Sequence, residues 1–233
     1  MRKAWLEMQK IMEVLNRSLE TSRKVKKLLF LVAAIYIASF LAGYLMVHMQ
    51  MPFAMELSEL IVVSVSINPL LGPILDALMS GNLALAVALT FLVNLSIGAF
   101  ASTTLPGMIP LIGGLGSIAL SGFRGFVIGV IFYDAFKVSM GYTVLALGTL
   151  ILELGAYVFS AAAGINISLS TIFPSRYQVD SRWIAFKEAW KDTSRIYVIV
   201  AILLALGAIW EMVGIYITIP TNRIILSLLH TDF

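Results

Sequence analysis

Residues 141–163, GYTVLALGTLILELGAYVFSAAA, decide the fold class, because the run is mostly apolar and contains a single charged side chain, Glu153. A helix needs about 20 such residues to cross the hydrocarbon core of a bilayer. Four further runs meet this standard with few polar interruptions, and they cover residues 28–47, 82–102, 111–132 and 196–219. The sequence therefore predicts an all-α, polytopic transmembrane helix bundle with about five spans.

Composition agrees with a lipid environment. The chain is 60% hydrophobic and only 12% charged, whereas a soluble domain carries about 25% charged residues. It has no cysteine, which excludes disulfides and thiol chemistry, and its two histidines, His48 and His230, lie far apart in the sequence. No span combines a nucleophile with a base. We therefore expect no catalytic residues, no metal site and no cofactor.

The rest of the chain divides around the bundle at residues 28–220. Residues 1–27 are predicted to form a cytoplasmic amphipathic helix, and 221–233 a C-terminal tail. Residues 51–81 are semi-polar and are interpreted as an outer loop with one or two short interfacial helices. The start of the third span, 106–117, is rich in Gly and Pro, so a re-entrant segment remains an alternative there.

The distribution of Lys and Arg predicts the orientation in the membrane. Eight of the sixteen lie in residues 1–27, and five more lie between the fourth and fifth spans. With five spans these two segments fall on the same side. By the positive-inside rule the protein is a multi-pass protein of the cell membrane, with its N-terminus in the cytoplasm and its C-terminus outside.

The N-terminal helix has an apolar stripe at alternating spacings of three and four residues. Its members are Trp5, Met8, Met12, Leu15 and Leu19. This heptad pattern is too short for a long coiled coil on its own. One interpretation is a helix that lies on the membrane or packs on its own protein. The other is a docking helix for a partner or for a second copy of the chain.

A second amphipathic segment, 180–195, precedes the last predicted span. Trp183, Phe186 and Trp190 form an aromatic stripe beside basic residues. Aromatic and basic side chains at this level anchor to lipid headgroups, so a short cytoplasmic interfacial helix is predicted. The alternative is a helix that transmits force to a cytoplasmic motor.

Three charged residues fall inside the predicted spans, where an ionisable group needs a partner or water. They are Arg124, Glu153 and Glu211. Counted from the turn near residue 138, Arg124 and Glu153 lie at nearly the same depth on neighbouring helices, so the two are able to pair. Asn94 lies at a compatible depth and is able to hydrogen-bond to either.

Two interpretations of these groups remain open. Either Arg124 and Glu153 form a pair that specifies the fold, or the polar residues line a path for a proton, an ion or a small solute. Glu211 is placed to face a cavity or to accept hydrogen bonds from 106–117. Around Arg124, Gly125 and Gly129 have a small-xxx-small spacing that favours close helix packing.

Four short runs, in this order along the chain, resemble the stage II sporulation protein M family. They are FLVN at 91–94, GFRGFVIG at 122–129, ELGAYVFSAAAGINI at 153–167 and EMVGIYITIP at 211–220. One departure stands out, because the family usually has a His-Gly pair just before the first glutamate, where this chain has Thr149 and Leu150. Any role that this histidine has in relatives is therefore missing here.

The resemblance implies a non-enzymatic prokaryotic membrane protein. In spore formers the family member holds cell-wall-degrading enzymes in a complex at the membrane. The leading hypothesis is thus a membrane scaffold or assembly protein, and the alternative is an ion or small-solute transporter or permease subunit that uses Glu153 and Glu211. The expected partners are the lipid bilayer and one or more proteins, with a homodimer among the options and no nucleic acid.

Overall fold

The computed structural model describes residues 2–110 and 112–230, and every regular element in this part of the chain is helical. Eight of these elements are α-helices. They are α1 (Arg2–Lys24), α2 (Lys26–His48), α3 (Pro52–Ser66), α4 (Leu71–Met79), α5 (Leu83–Val93), α6 (Gly113–Val138), α7 (Met140–Ile172) and α8 (Arg182–His230). Between α5 and α6 the chain continues as a π-helix, Asn94–Thr104, and a 3-10 turn, Leu105–Met108. A second 3-10 turn, Pro174–Tyr177, joins α7 to α8.

Five of the described segments are long and apolar enough to cross a bilayer. They are Lys26–His48, Leu83–Met108, Gly113–Tyr133, Met140–Ile172 and Arg182–Thr218. The predicted all-α membrane bundle is confirmed, and the chain is a multi-pass membrane protein. The segment between the first two spans, predicted to be an outer loop, holds two short helices, α3 and α4.

Local sequence signals set where the helices begin and end. The side chain of Asn82 accepts the Leu85 N–H at the start of α5, and that of Ser139 accepts the Tyr142 N–H at the start of α7. Both are N-cap bonds, which satisfy a donor that the helix leaves free. Gly81, with a φ of +78°, ends the turn after α4 in a conformation that glycine adopts without steric cost.

Helix α7 is the centre of the bundle. Its residues Ala161–Ser168 are all buried, and it packs against α2, α6, α8 and the π-helix. The helices approach closely where small residues face one another. A Cβ on Gly129 would lie 2.0 Å from the Phe40 carbonyl oxygen, and one on Gly125 would lie 2.2 Å from Ser39 Oγ. The predicted small-xxx-small packing face is therefore confirmed, and it faces α2.

In four segments the structure differs from the prediction or decides between alternatives. The second span continues beyond residue 102 to Met108. Residues 106–117 are not a re-entrant loop, because the described part of this segment ends one span, turns and starts α6 at Gly113. The cytoplasmic helix predicted at 180–195 is the beginning of the continuous helix α8, since no helix breaker separates it from the last span. The predicted tail, 221–233, continues as helix to His230, and 231–233 lie outside the described residues.

Candidate functional site

The first polar contact inside the bundle joins the second and fourth spans. Asn94 Nδ2 donates to Glu153 Oε1 at 2.6 Å. Asn94 is the residue at which α5 becomes the π-helix, and Glu153 lies in the first half of α7. The structure thus brings together two of the residues predicted from the sequence, and a neutral amide is the partner of the buried carboxylate.

Glu211 approaches Glu153 from α8. The two carboxyl groups are close enough for their charges to interact. Gly207, one turn before Glu211, makes the approach possible, because a Cβ there would lie 3.3 Å from Glu153 Cγ. Of the two alternatives for Glu211, the structure shows no hydrogen bonds from the described part of 106–117, since that segment packs on α7 around Gly164, further along the bundle.

Arg124 does not pair with Glu153, although the sequence predicted that it is able to. Its Nη1 donates to the Gly98 carbonyl at 2.8 Å and its Nη2 donates to Ser102 Oγ at 2.7 Å. The guanidinium carbon lies 4.2 Å from the ring centroid of Tyr157, one turn beyond Glu153 on α7. No ion pair joins Arg124 to Glu153 within the described part of the chain, because the π-helix supplies closer acceptors.

The π-helix is rich in hydroxyl side chains that bond its own backbone. Ser96, Ser102 and Thr103 each donate a side-chain hydroxyl to the carbonyl four residues earlier. Such bonds compete with the backbone N–H for the same carbonyl and distort a helix. A π-helix of this length is rare, and shorter π-bulges are frequent at functional sites. Here the distortion exposes the Gly98 carbonyl to Arg124.

A network of hydroxyls continues from Arg124 toward the end of the π-helix. Thr103 Oγ1 and Ser160 Oγ are 2.7 Å apart. Thr104 Oγ1 bonds both the Ser160 carbonyl and the Tyr197 hydroxyl. Ser117 Oγ donates to the Thr103 carbonyl at 2.9 Å. All of these oxygens have partners, so this part of the interior is a closed structural network. The sequence analysis missed it, although the triplet Ser102–Thr103–Thr104 inside a span is a visible signal.

Four buried side-chain oxygens have no hydrogen-bond partner among the described residues: those of Tyr36, Thr90, Thr149 and Ser168. The Tyr36 hydroxyl lies beside Arg124 and Ser121. Thr90 and Thr149 each precede a member of the Asn94–Glu153 pair by one helical turn. The region around Glu153 therefore has spare acceptor atoms that the region around Arg124 mostly lacks.

A separate polar cluster lies where α7, the second 3-10 turn and α8 meet. Asn166 Nδ2 donates to the Tyr177 hydroxyl at 2.7 Å, and this hydroxyl donates to Asp192 Oδ2 at 3.1 Å. Asp192 is buried and also accepts from Arg195, while Lys24 of α1 lies 3.9 Å away. Burial raises the pKa of Tyr177 to about 12. This cluster, which sequence reasoning missed, fixes the end of α1 to α8.

Helix α1 is buried on one face only at its C-terminal half. Ser18, Thr21 and Ser22 are buried, and α1 packs mainly against α8. Of the predicted stripe, which we call the α1 stripe, Leu15 is half-buried. The other members are exposed by half or more: Trp5, Met8, Met12 and Leu19. The α1 stripe is thus neither part of the core nor covered by the described part of the chain.

The aromatic stripe of the 180–195 segment lies on the first turns of α8. Trp183 stacks on Phe186 with 5.5 Å between ring centroids, and Phe186 contacts Trp190 edge-on. Trp190 in turn contacts Phe100 of the π-helix. The anchoring of this aromatic stripe to lipid headgroups stays a prediction.

The described residues do not form a binding site of the kind that holds a transition metal. Among the described residues, no three His, Cys, Asp or Glu side chains come together as they would around such an ion.

Comparison with known families supplies the remaining observation. The family model described as stage II sporulation protein M matches residues 29–213, most of the chain. The chain belongs to this family. The stage II sporulation protein M match covers the bundle from α2 into the second half of α8 and includes Asn94, Arg124, Glu153 and Glu211. Helix α1 precedes it. Neither the curated proteins nor the solved structures contain a significant match to the chain.

Proposed function

We propose that this stage II sporulation protein M family member is a non-enzymatic membrane scaffold that recruits a protein partner through the α1 stripe. The observation that carries the proposal is the exposure of large apolar side chains on a helix that is fixed to the bundle at its other end. Met8 is 59% exposed and Met12 is 53% exposed. Contiguous exposed apolar surface of this kind is typical of interaction sites.

The position of α1 supports a role outside the membrane. Only Val25 separates α1 from the first span, α2, so the two helices follow each other with one small break. The Asp192 cluster and the buried face of α1 hold its C-terminal half against α8. A rigidly held helix loses little conformational entropy when a partner binds it. The positive-inside rule places this helix in the cytoplasm.

The length of the α1 stripe favours a different protein over a second copy of the chain. Five residues at heptad spacing extend over fewer than three heptads, which is short for a coiled coil between two identical helices. A partner with a preformed apolar groove binds such a helix through anchors at these spacings. The family match begins after α1, so this contact belongs to the part of the chain that precedes the matched bundle.

The test is the size of the native complex after the α1 stripe is made polar. Met8→Asp with Met12→Asp is expected to reduce the complex extracted from membranes with mild detergent to the size of the isolated protein. Leu6→Asp is the matched control, because Leu6 is also an exposed apolar residue of α1 but lies on the opposite face. A complex of unchanged size in the double variant, or none in the wild type, would contradict the scaffold.

A permease is the second candidate, and the two carboxyl groups in the bundle, Glu153 and Glu211, are the observation that favours it. Ionisable residues inside a membrane often mark an ion or proton path. On this candidate, Glu153→Gln abolishes a flux in proteoliposomes while the helical fold survives. The absence of flux for every ion tested in the wild type would exclude it.

A further inference from the structure

The unpartnered hydroxyls of Thr90 and Thr149 lie at one level of the bundle. The second and fourth spans run parallel, because Asn94 contacts Glu153 and Gly98 contacts Tyr157 further along both helices. Thr90 and Thr149 are separated by the same 59 residues as Asn94 and Glu153. Both threonines therefore lie one turn before the bonded pair, toward the same end of the bundle.

Each threonine also shares a face with its polar neighbour. The Asn94 N–H bonds the Thr90 carbonyl, so one regular helical turn separates the two side chains. Thr149 and Glu153 are four residues apart in the uninterrupted helix α7. Thr90 is only 6% exposed, and its hydroxyl has no partner among the described residues. The hydroxyls and the bonded pair thus form two adjacent tiers.

Glu211 completes the tier that contains the threonines. Helix α8 runs antiparallel to α7, because Gly207 meets Leu152 and Glu153, whereas Trp210 meets Gly148. Glu211 follows Trp210 and therefore lies level with Thr149. Its carboxyl group has no hydrogen bond from the described residues, and it interacts with the charge of Glu153.

We propose that these five side chains form a binding site for a monovalent alkali cation, with sodium as the ion tested. Its oxygens come from Thr90, Asn94, Thr149, Glu153 and Glu211. The inference does not depend on the scaffold function.

Charge and chemistry favour this class of ligand. Carboxylate, amide and hydroxyl oxygens suit hard cations. Arg124 lies close enough to Glu153 for their charges to interact, so the two carboxyl groups carry at most one uncompensated negative charge. A single monovalent ion balances the site, whereas a divalent ion would leave an excess positive charge in the membrane interior.

The experiment measures binding of radioactive sodium to the purified full-length protein in lipid nanodiscs, with choline chloride holding ionic strength constant. The wild type is expected to bind sodium saturably. Thr90→Val and Thr149→Val are each expected to weaken sodium binding by about tenfold or more, the loss that even outer-shell groups cause around a metal. Glu153→Gln is expected to abolish it.

Thr143→Val is the matched control. Thr143 is also on α7, but its hydroxyl donates to the Ser139 carbonyl within its own helix. Sodium binding should therefore be unchanged in this variant. The proposal is overturned if the wild type shows no saturable sodium binding, if both Thr90→Val and Thr149→Val bind like the wild type, or if calcium rather than sodium saturates the site. The two valine variants lose no hydrogen bond, so their folding does not confound the comparison.

Discussion

Two polar regions inside the same bundle are built in opposite ways. Around Arg124 most donors and acceptors are matched, because the guanidinium bonds Gly98 and Ser102 and lies over the Tyr157 ring, and the Tyr36 hydroxyl is an exception. Around Glu153 the acceptors outnumber the donors, because among the described residues Asn94 gives the one side-chain hydrogen bond to a region with two carboxyl groups and two unpartnered threonine hydroxyls. The regions are only about one helical turn apart along α7.

The difference separates polar residues that stabilise the fold from polar residues that are available to a ligand. A buried polar group without a partner destabilises a protein, and a matched network specifies one packing arrangement. Arg124 and the hydroxyl network therefore behave as structural groups. The unpartnered polar groups around Glu153 lower the stability of the folded protein, and a bound cation would offset this loss. Each prediction below tests this contrast, from the largest expected effect to the smallest.

Replacing Arg124 by an uncharged residue should have the largest effect on stability. Arg124→Met leaves the Gly98 carbonyl and Ser102 without their donor, and we expect it to lower the free energy of unfolding by about 3 kcal/mol. Arg124→Lys keeps the charge but not the two-pronged geometry, so it should restore only part of this loss. The measurement is unfolding by SDS titration in mixed micelles. Equal stability of Arg124→Met and the wild type would show that the network around Arg124 is not structural.

Adding a side chain where α7 packs against the π-helix should lower the stability slightly less. A Cβ at Gly164 would lie 2.6 Å from the Thr103 carbonyl oxygen, so Gly164→Ala must push the π-helix away from α7. We expect a loss of about 2 kcal/mol in the free energy of unfolding.

Gly155→Ala is the control for crowding on the same helix. Its Cβ would meet only Leu203 Cδ1, at an ordinary contact distance of 3.7 Å, so this variant should be at least as stable as the wild type. The same unfolding titration compares both variants. A larger loss in Gly155→Ala than in Gly164→Ala would contradict the packing described here.

Replacing single hydroxyls compares the two regions directly. Thr104→Val removes bonds to the Ser160 carbonyl and to Tyr197 and should cost about 1 kcal/mol. Thr90→Val removes a hydroxyl that has no partner among the described residues, so in sodium-free buffer it should be neutral or stabilising. Thermal unfolding in detergent measures both. A greater loss in Thr90→Val would show that its hydroxyl is already satisfied.

The last effect is expected outside the membrane, at Tyr177, and it is absent at neutral pH. Its pKa is about 12 in the folded protein and 10.0 in the unfolded chain. The neutral hydroxyl therefore contributes stability that is complete below pH 10 and is lost as the pH rises from 10 to 12. Tyr177→Phe should flatten the fall in melting temperature over this interval relative to the wild type. Parallel pH profiles for the two proteins would rule out this contribution.

Much of the architecture could be predicted from the sequence. A run of about 20 apolar residues has no stable place in water, so the five spans follow from composition and length. Gly125 and Gly129 predicted close packing because a small-xxx-small face allows two backbones to approach. The Asn94–Glu153 contact was among the expected options, since depth in a membrane helix can be counted from a turn.

The failures also have physical causes. Counting residues gave the depth of Arg124 but not which acceptors would be nearest to it. The π-helix changes the direction of each following side chain, and no single-residue propensity predicts it. The start of α8 looked like a separate helix because it is amphipathic, yet polarity changes along a helix without breaking its backbone. The cluster of Asn166, Tyr177 and Asp192 joins residues that are distant in any periodic pattern.

The sequence by itself determined that this chain crosses the membrane as a helical bundle, where its charged residues lie in depth and which family it resembles. Those properties depend on local composition and on distance along one helix. Only the tertiary structure decided that Arg124 is matched by the π-helix while Glu153 and Glu211 share a region with spare oxygens. The hydrogen-bond partner of a side chain inside a bundle depends on how each helix is rotated about its axis and how it packs on its neighbours. A change in that rotation brings a different residue into contact, and distance along one helix does not reveal it.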